Sequence, residues 1–342
     1  ERLRNLDAAG YPVDCSAYTT VIVAYARSGK PELADEWLQH LVDAGLTPDR
    51  HCYHAVINGW ARRGHLAKAI EYFKRMTDAG IRPTPRSYSA VASAYATRGL
   101  PNGAVSWLEQ MRKDGVTPTN NEFNVVIGAF ARGRDTTGAA TWLDRMRRAK
   151  LSPDEVSYST VISGFASRGA MDNVTQWFSK MLAAKLSPKD VTYNSIIHGC
   201  AKAGDPEQAA RWLQRFAASG VGKPGIIAWS AMLAALASAC GKGGSNKRPR
   251  YSGSSSSSSS SSKGLSSTAG STPDGRLAVE EAFTRMMRAG LEPDVYTLAI
   301  LDRALGRSRR STLLKELGVD EQRAAGRERT RGFQARWNTA AS

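Results

Sequence analysis

An aromatic residue returns every 35 residues along this chain, at Tyr18, Tyr53, Tyr88, Phe123, Tyr158 and Tyr193. A second aromatic follows each of them by 19 residues, at Trp37, Tyr72, Trp107, Trp142, Trp177 and Trp212. Glycines keep the same frame, at Gly29, Gly64, Gly99, Gly169 and Gly204 inside the unit and at Gly45, Gly80 and Gly115 near its end. Self-similarity at a fixed period of about 20–50 residues marks a repeat array rather than one globular core. The 342 residues therefore set the number of units more than the number of domains.

One unit predicts a helical hairpin. Between Asp190 and Gly225, apolar or small residues at Val191, Tyr193, Ile196, Ile197, Cys200 and Ala201 recur at helical spacing. Gly204 closes that helix and Pro206 suits the first turn of the next, whose stripe runs through Ala209, Trp212, Leu213 and Phe216. Gly-x-x-Pro, as at Gly45–Pro48, Gly80–Pro83 and Gly115–Pro118, stops the second helix. Helices of about 12 residues, roughly 18 Å, are marginal alone, so stacking has to supply the core. The aromatic ladders are accordingly assigned to packing between helices. The expected fold is all-α, a right-handed α-solenoid superhelix of stacked hairpins, with the first helices on the concave face.

The formal charge of +16 and pI near 9.9 favour a polyanionic partner, nucleic acid or an acidic membrane surface. No run of 18 apolar residues is present to span a bilayer. Cys15, Cys52, Cys200 and Cys240 lie far apart, without a CxxC pair, which fits buried thiols in a reducing compartment better than a disulfide framework. The sequence opens at Glu1, in mid-unit, so no targeting peptide is there to be read.

Val-Thr-Tyr-Asn at 191–194, Ile-Ile-x-Gly and Ala-Lys-Ala-Gly after it, then Ala-x-x-Trp-Leu and Gly-x-x-Pro-Asp, repeated at 35-residue spacing, resemble the pentatricopeptide repeat of the pure 35-residue type. On that resemblance the chain divides into a half repeat at 1–14 and six units over 15–225. A seventh unit, 226–294, is interrupted by a Ser-rich basic insert at 241–275. A degenerate cap follows at 295–320 and a basic tail at 321–342. The insert has nine consecutive serines and five Lys/Arg against one Asp, a composition that buries no core and predicts disorder.

The resemblance implies single-stranded RNA binding in mitochondria or plastids, one base per unit. In the family, the fifth residue of a unit and its last read the base. Carried over, the pairs are Thr19 with Asp49, His54 with Thr84, Ser89 with Thr119, Asn124 with Asp154, Ser159 with Lys189, Asn194 with Gly225, and Ser230 with Asp294. Thr19/Asp49 resembles a guanine reader and Asn124/Asp154 a uracil reader; Ser230/Asp294 is a further guanine candidate. The base would be sandwiched between second residues. Val156, Val191 and Ile227 suit an apolar clamp, whereas Ser16, His51, Arg86 and Asn121 depart from it. Arg27, Arg62, Arg132 and Lys202 stand where the family contacts phosphate, or else complement the helix dipole.

The implied function is that of a sequence-selective RNA-binding module in organellar RNA processing, stabilisation, splicing or translation, without catalysis or cofactor of its own. Its partners would be single-stranded RNA and organellar processing, splicing or ribosomal proteins. The alternative is a structural, protein-binding subunit of an organellar ribonucleoprotein such as a mitochondrial ribosome. His51 and His54 share a short segment but lack a second ligand cluster for a metal. Gly241–Lys247 lacks both the spacing and the preceding strand of a phosphate loop.

Overall fold

A computed structural model describes residues 14–242 and 273–319. Residues 1–13 of the half repeat, most of the Ser-rich insert, the last residue of the cap and the tail at 321–342 lie outside the described residues. Among the described residues there are helices and no strand. They run α1 Cys15–Arg27, α2 Pro31–Asp43, α3 Arg50–Arg62, α4 Leu66–Asp78, α5 Pro85–Thr97, α6 Pro101–Lys113, α7 Asn120–Arg132 and α8 Thr136–Arg148. Then come α9 Glu155–Ser167, α10 Met171–Ala183, α11 Asp190–Ala203, α12 Pro206–Ala218, α13 Ile226–Lys242, α14 Pro273–Arg288, α15 Val295–Leu305 and α16 Arg307–Glu316. The chain forms two compact units. One holds residues 14–165 with Thr175–Ser187; the other holds Ala166–Val174 and the described residues from Pro188 onward.

In the first unit odd-numbered helices pack on the even-numbered helix after them and on the odd-numbered helix of the following repeat: α1 on α2 and α3, α3 on α4 and α5, α5 on α6 and α7. The 19-residue aromatic spacing has a direct physical result. Tyr18 and Trp37 bring their ring centroids to 5.9 Å, Phe123 and Trp142 to 6.0 Å, and Tyr158 and Trp177 to 6.3 Å, within the range of favourable aromatic contact. Tyr18 and Trp37 share one continuous core with Ile22, Leu41, Val56, Ile57, Met76 and Val91. In the second unit α11 packs on α12 and α13, and α13 packs on α14 and α15. Tyr193 stacks on Phe216 at 4.8 Å, and Leu233, Val279, Phe283, Met286 and Leu301 close the C-terminal core.

Two glycines show how close the helices come. A Cβ at Gly199 would lie 2.8 Å from Ala166, so a side chain there has no room. Gly204 ends α11 at φ 73°, in the left-handed region that favours glycine. The same turn is made without glycine at Arg134, φ 62°, and the turn after the second helix at Lys150 and Lys185, φ 60° and 58°. No described helix is long and apolar enough to cross a membrane.

Candidate nucleic-acid interface

The residues at the second position of the repeats, Ser16, His51, Arg86, Asn121, Val156, Val191 and Ile227, are all exposed. Apolar exposure is most pronounced at the last three, with Val156 52%, Val191 65% and Ile227 56% open to solvent. Tyr296, 56% exposed, occupies the second position of the degenerate repeat, counted from Val295. The sequence reading passed over it because the repeat there had lost its other landmarks.

The last residue of a repeat is the N-cap of the next repeat's first helix. Asp49 Oδ1 accepts from Cys52 N–H at 2.8 Å, Asp154 Oδ1 from Ser157 N–H at 2.9 Å and Asp294 Oδ1 from Thr297 N–H at 2.8 Å. Thr119 shares a capping box with Glu122, whose Oε2 accepts from Thr119 N–H and Oγ1–H at 2.8 and 2.7 Å. An Asp or Thr at that position therefore has a structural use as a helix cap. Capping by Asp occupies one carboxylate oxygen, Oδ1, and leaves chemistry to the other.

At the fourth repeat the predicted pair is in contact. Asn124 Nδ2 donates to Asp154 Oδ1 and Oδ2 at 3.2 and 3.3 Å. Ser157 Oγ lies 2.6 Å from Asn124 Oδ1 and 2.8 Å from Asp154 Oδ1. Burial pushes the Asp154 carboxyl up, but the hydrogen bonds from Ser157 and Asn124 outweigh it and hold it below its ordinary value. The site is thus a carboxylate beside an amide, an acceptor next to a donor.

The second repeat brings His54 and Thr84 together, with Nε2 3.5 Å from Thr84 Oγ1 and 2.6 Å from Ser87 Oγ. His54 is 7% exposed, and burial first, then the neighbouring Arg86, Arg50 and His51, lowers it to about 4, so the ring is neutral at pH 7. It has turned into the helix stack while His51 stays outside. Among the described residues no group of three or more His, Cys, Asp or Glu converges to hold a metal.

In the first repeat, Thr19, Asp49, Ser16, His51 and Arg27 line one open groove of about 610 Å³. This single groove gathers a predicted reading pair, the two flanking second-position residues and a predicted phosphate contact. Thr19 Oγ1 donates to Cys15 C=O at 2.7 Å and lies 3.1 Å from Cys52 Sγ, whose thiol burial pushes up to about 12.

The pairs Ser230/Asp294 and Ser89/Thr119 are held by other partners. Ser230 is 6% exposed, its hydroxyl donating to Ile227 C=O at 3.1 Å, while Asp294 accepts from Thr297 Oγ1–H at 2.7 Å. Thr119 is held by Glu122 rather than by Ser89. Ser159 belongs to the first compact unit, and Lys189, Asn194 and Gly225 to the second. Arg62 Nη1 reaches Arg27 C=O at 3.4 Å and Arg132 Nη1 reaches Ala96 C=O at 3.5 Å, each capping a carbonyl of the preceding repeat's first helix. Lys202, in the last turn of α11, is exposed.

Missing from the sequence reading were the third residues of the repeats, Cys52, Ser87 and Ser157. A signal was present, since small hydrogen-bonding residues stand at 52, 87, 157 and 192, multiples of the same period.

Stacked hairpins with a periodic, polar first-helix face define a helical-repeat array. Its repeats match four family descriptions: a pentatricopeptide repeat-containing protein over 15–97, the PPR repeat over 86–116 and 191–221, a pentatricopeptide repeat domain over 106–168 and the PPR repeat family over 153–202. The chain belongs to the pentatricopeptide repeat family. Among solved structures it is similar to the pentatricopeptide repeat protein PPR10 in complex with an 18-nt psaJ RNA element, at TM-score 0.65 and 22% identity, over 98% of this chain and 46% of that one. A cysteine-to-serine variant of PPR10 bound to the same RNA element gives the same values. This likeness shows the α-solenoid fold; the chain spans about half the length of PPR10. PPR10 from maize without a named ligand is matched at TM-score 0.48 and 17% identity, over 99% of this chain and 56% of that one. No curated protein matches the chain.

Proposed function

We propose that this chain binds single-stranded RNA, reading one base per repeat, in organellar RNA metabolism and without catalysis of its own. The observation that carries the proposal is the fourth repeat. Asn124 and Asp154 sit side by side with their polar atoms 3.2–3.3 Å apart, a donor beside an acceptor, and that is the complement of the uracil edge. The groove at Thr19 and Asp49 supports the same reading, because base-reading, flanking and cationic positions meet there. PPR10, whose fold the chain shares, is solved with RNA bound. The exposed second positions, with Tyr296 added at the C-terminal end, supply flanking surfaces; stacking on aromatic platforms contributes about 1–3 kcal/mol per base.

The base order expected from the seven pairs is G, unassigned, purine, U, purine, pyrimidine, G. The test is a gel-shift titration of single-stranded RNA of that order against its duplex and a scrambled strand. Preference for the single strand over both competitors supports the proposal. Equal affinity for the duplex contradicts it, and weak, sequence-indifferent binding points instead to a protein-interaction subunit.

A further inference from the structure

Three times in the first compact unit, the fifth residue of a repeat is met by the third residue of the next, always 33 residues on. Cys52 Sγ lies 3.1 Å from Thr19 Oγ1, Ser87 Oγ 2.6 Å from His54 Nε2, and Ser157 Oγ 2.6 Å from Asn124 Oδ1. At Thr19 and Asn124 the surroundings fix which atom donates. Ser157 Oγ accepts from the Asp154 N–H at 3.2 Å, so its single proton goes to an acceptor. Asp154 Oδ1 already accepts from Ser157 N–H and Asn124 Nδ2, and Asn124 Oδ1 is nearer, at 2.6 against 2.8 Å. Ser87 Oγ likewise accepts from Thr84 N–H at 3.1 Å and lies 2.6 Å from His54 Nε2, a pair in which the tautomer of the ring sets the donor. Thr19 gives its own proton to Cys15 C=O, so the thiol of Cys52 is the donor in the first repeat.

The sixth repeat lacks this arrangement. Its fifth residue, Asn194, is the same as Asn124, but the third residue of the next repeat is Ala228, fully buried, and the last residue is Gly225. Neither offers a side-chain donor, and Asn194 Oδ1 is buried without a hydrogen-bond partner. A primary amide has nearly the same shape in both orientations, so hydrogen bonding decides which end points outward.

We propose that Cys52, Ser87 and Ser157 are positioning residues, each for the repeat before it, fixing through a hydroxyl or thiol which end of the reading side chain, donor or acceptor, is left for the base. The inference rests on the RNA-reading proposal for its consequence, but not for its geometry. Where the third residue donates, as Ser157 does, the carbonyl of Asn124 is held inward and Nδ2, one hydrogen shared with Asp154, keeps its other hydrogen for the base. Where it is Ala228, the amide of Asn194 is unlocked, and discrimination between bases at the sixth position is weak.

Two substitutions in the full chain test this, Ser157→Ala and Ala228→Ser. In the RNA-free protein, NMR of the side-chain amides is expected to show Asn124 signals that shift in Ser157→Ala and return in Ser157→Thr, a change the structure tolerates since Thr192 and Thr297 hold the same place in other repeats. With RNA, Ser157→Ala is expected to lower discrimination at the fourth base about tenfold, and Ala228→Ser to raise it at the sixth by about as much, other positions unchanged. Unchanged Asn124 amide signals, or unchanged base ranking at both positions with RNA still bound, overturn the proposal. If no variant and no wild-type protein binds RNA, the amide signals still decide the positioning claim, while the RNA-reading proposal fails. If Ser157→Ala does not fold, Ala228→Ser decides the matter, because it adds a donor without removing one.

Discussion

At His54 the environment leaves a measurable signature. The unfolded chain takes up a proton near 6.5, the folded ring only at about 4. Between those values the unfolded state holds more protons, so stability falls as pH drops; the contribution is complete above about 6.5 and gone below about 4. The predicted loss is on the order of 2 kcal/mol for a ring this buried. Urea titrations at pH 7 and pH 4.5 are expected to differ by that amount in the wild type and by clearly less in His54→Asn. Equal pH dependence in the two proteins would place the effect elsewhere. Asp154 separates two uses of one side chain. Asp154→Ala removes the cap of α9, at about 0.5–2 kcal/mol, together with the acceptor for the base. Asp154→Ser keeps a capping oxygen and loses the carboxylate. Near-wild-type melting with lost base preference is the expected result for Asp154→Ser, and an unchanged preference would leave Asp154 as a cap alone.

At the scale of the element, the turns carry the clearest prediction. Arg134, Lys150 and Lys185 adopt the left-handed backbone that glycine adopts in sister repeats. That conformation costs a side-chain residue about 1–2 kcal/mol, whereas glycine adds about 0.5–1 kcal/mol of entropy to the unfolded chain. The first effect is larger, so Lys150→Gly and Lys185→Gly are each expected to stabilise the protein by about 0.5 kcal/mol, read from the urea midpoint at constant slope. Destabilisation by either would show that the lysine side chain makes contacts worth more than the strain. The hairpins themselves were legible in the sequence, because an aromatic at the fourth position and another 19 residues later have one physical explanation, ring against ring across two helices. The caps were half legible. Asp at 49, 154 and 294 was visible as a repeat-ending carboxylate, but its capping of the N–H groups of Cys52, Ser157 and Thr297 depends on the helix starting at the very next residue, a local boundary that the apolar periodicity does not mark. His54 was the hardest to anticipate: its burial follows from the hydroxyl of Ser87, a residue 33 positions away, and not from its own helix.

For the molecule as a whole, the net charge of +16 predicts a steep fall of RNA affinity with salt, with a slope of about −0.7 per phosphate contacted on a single strand. Arg132 divides phosphate contact from structure. Its guanidinium already reaches Ala96 C=O, so Arg132→Ala is expected to weaken every RNA alike and to lower the salt slope by about 1 if it also meets phosphate. An unchanged slope would assign Arg132 to helix capping only. The central claim, that repeats of this array read bases through the fifth and last residues, is tested most directly by selecting from randomised RNA with the wild type and with Asn124→Thr. The substitution recreates beside Asp154 the pair present at Thr19 and Asp49. The prediction is a change at the fourth base from U to G, with about 1–3 kcal/mol of discrimination and every other position unaltered. The same base ranking from both proteins would contradict it.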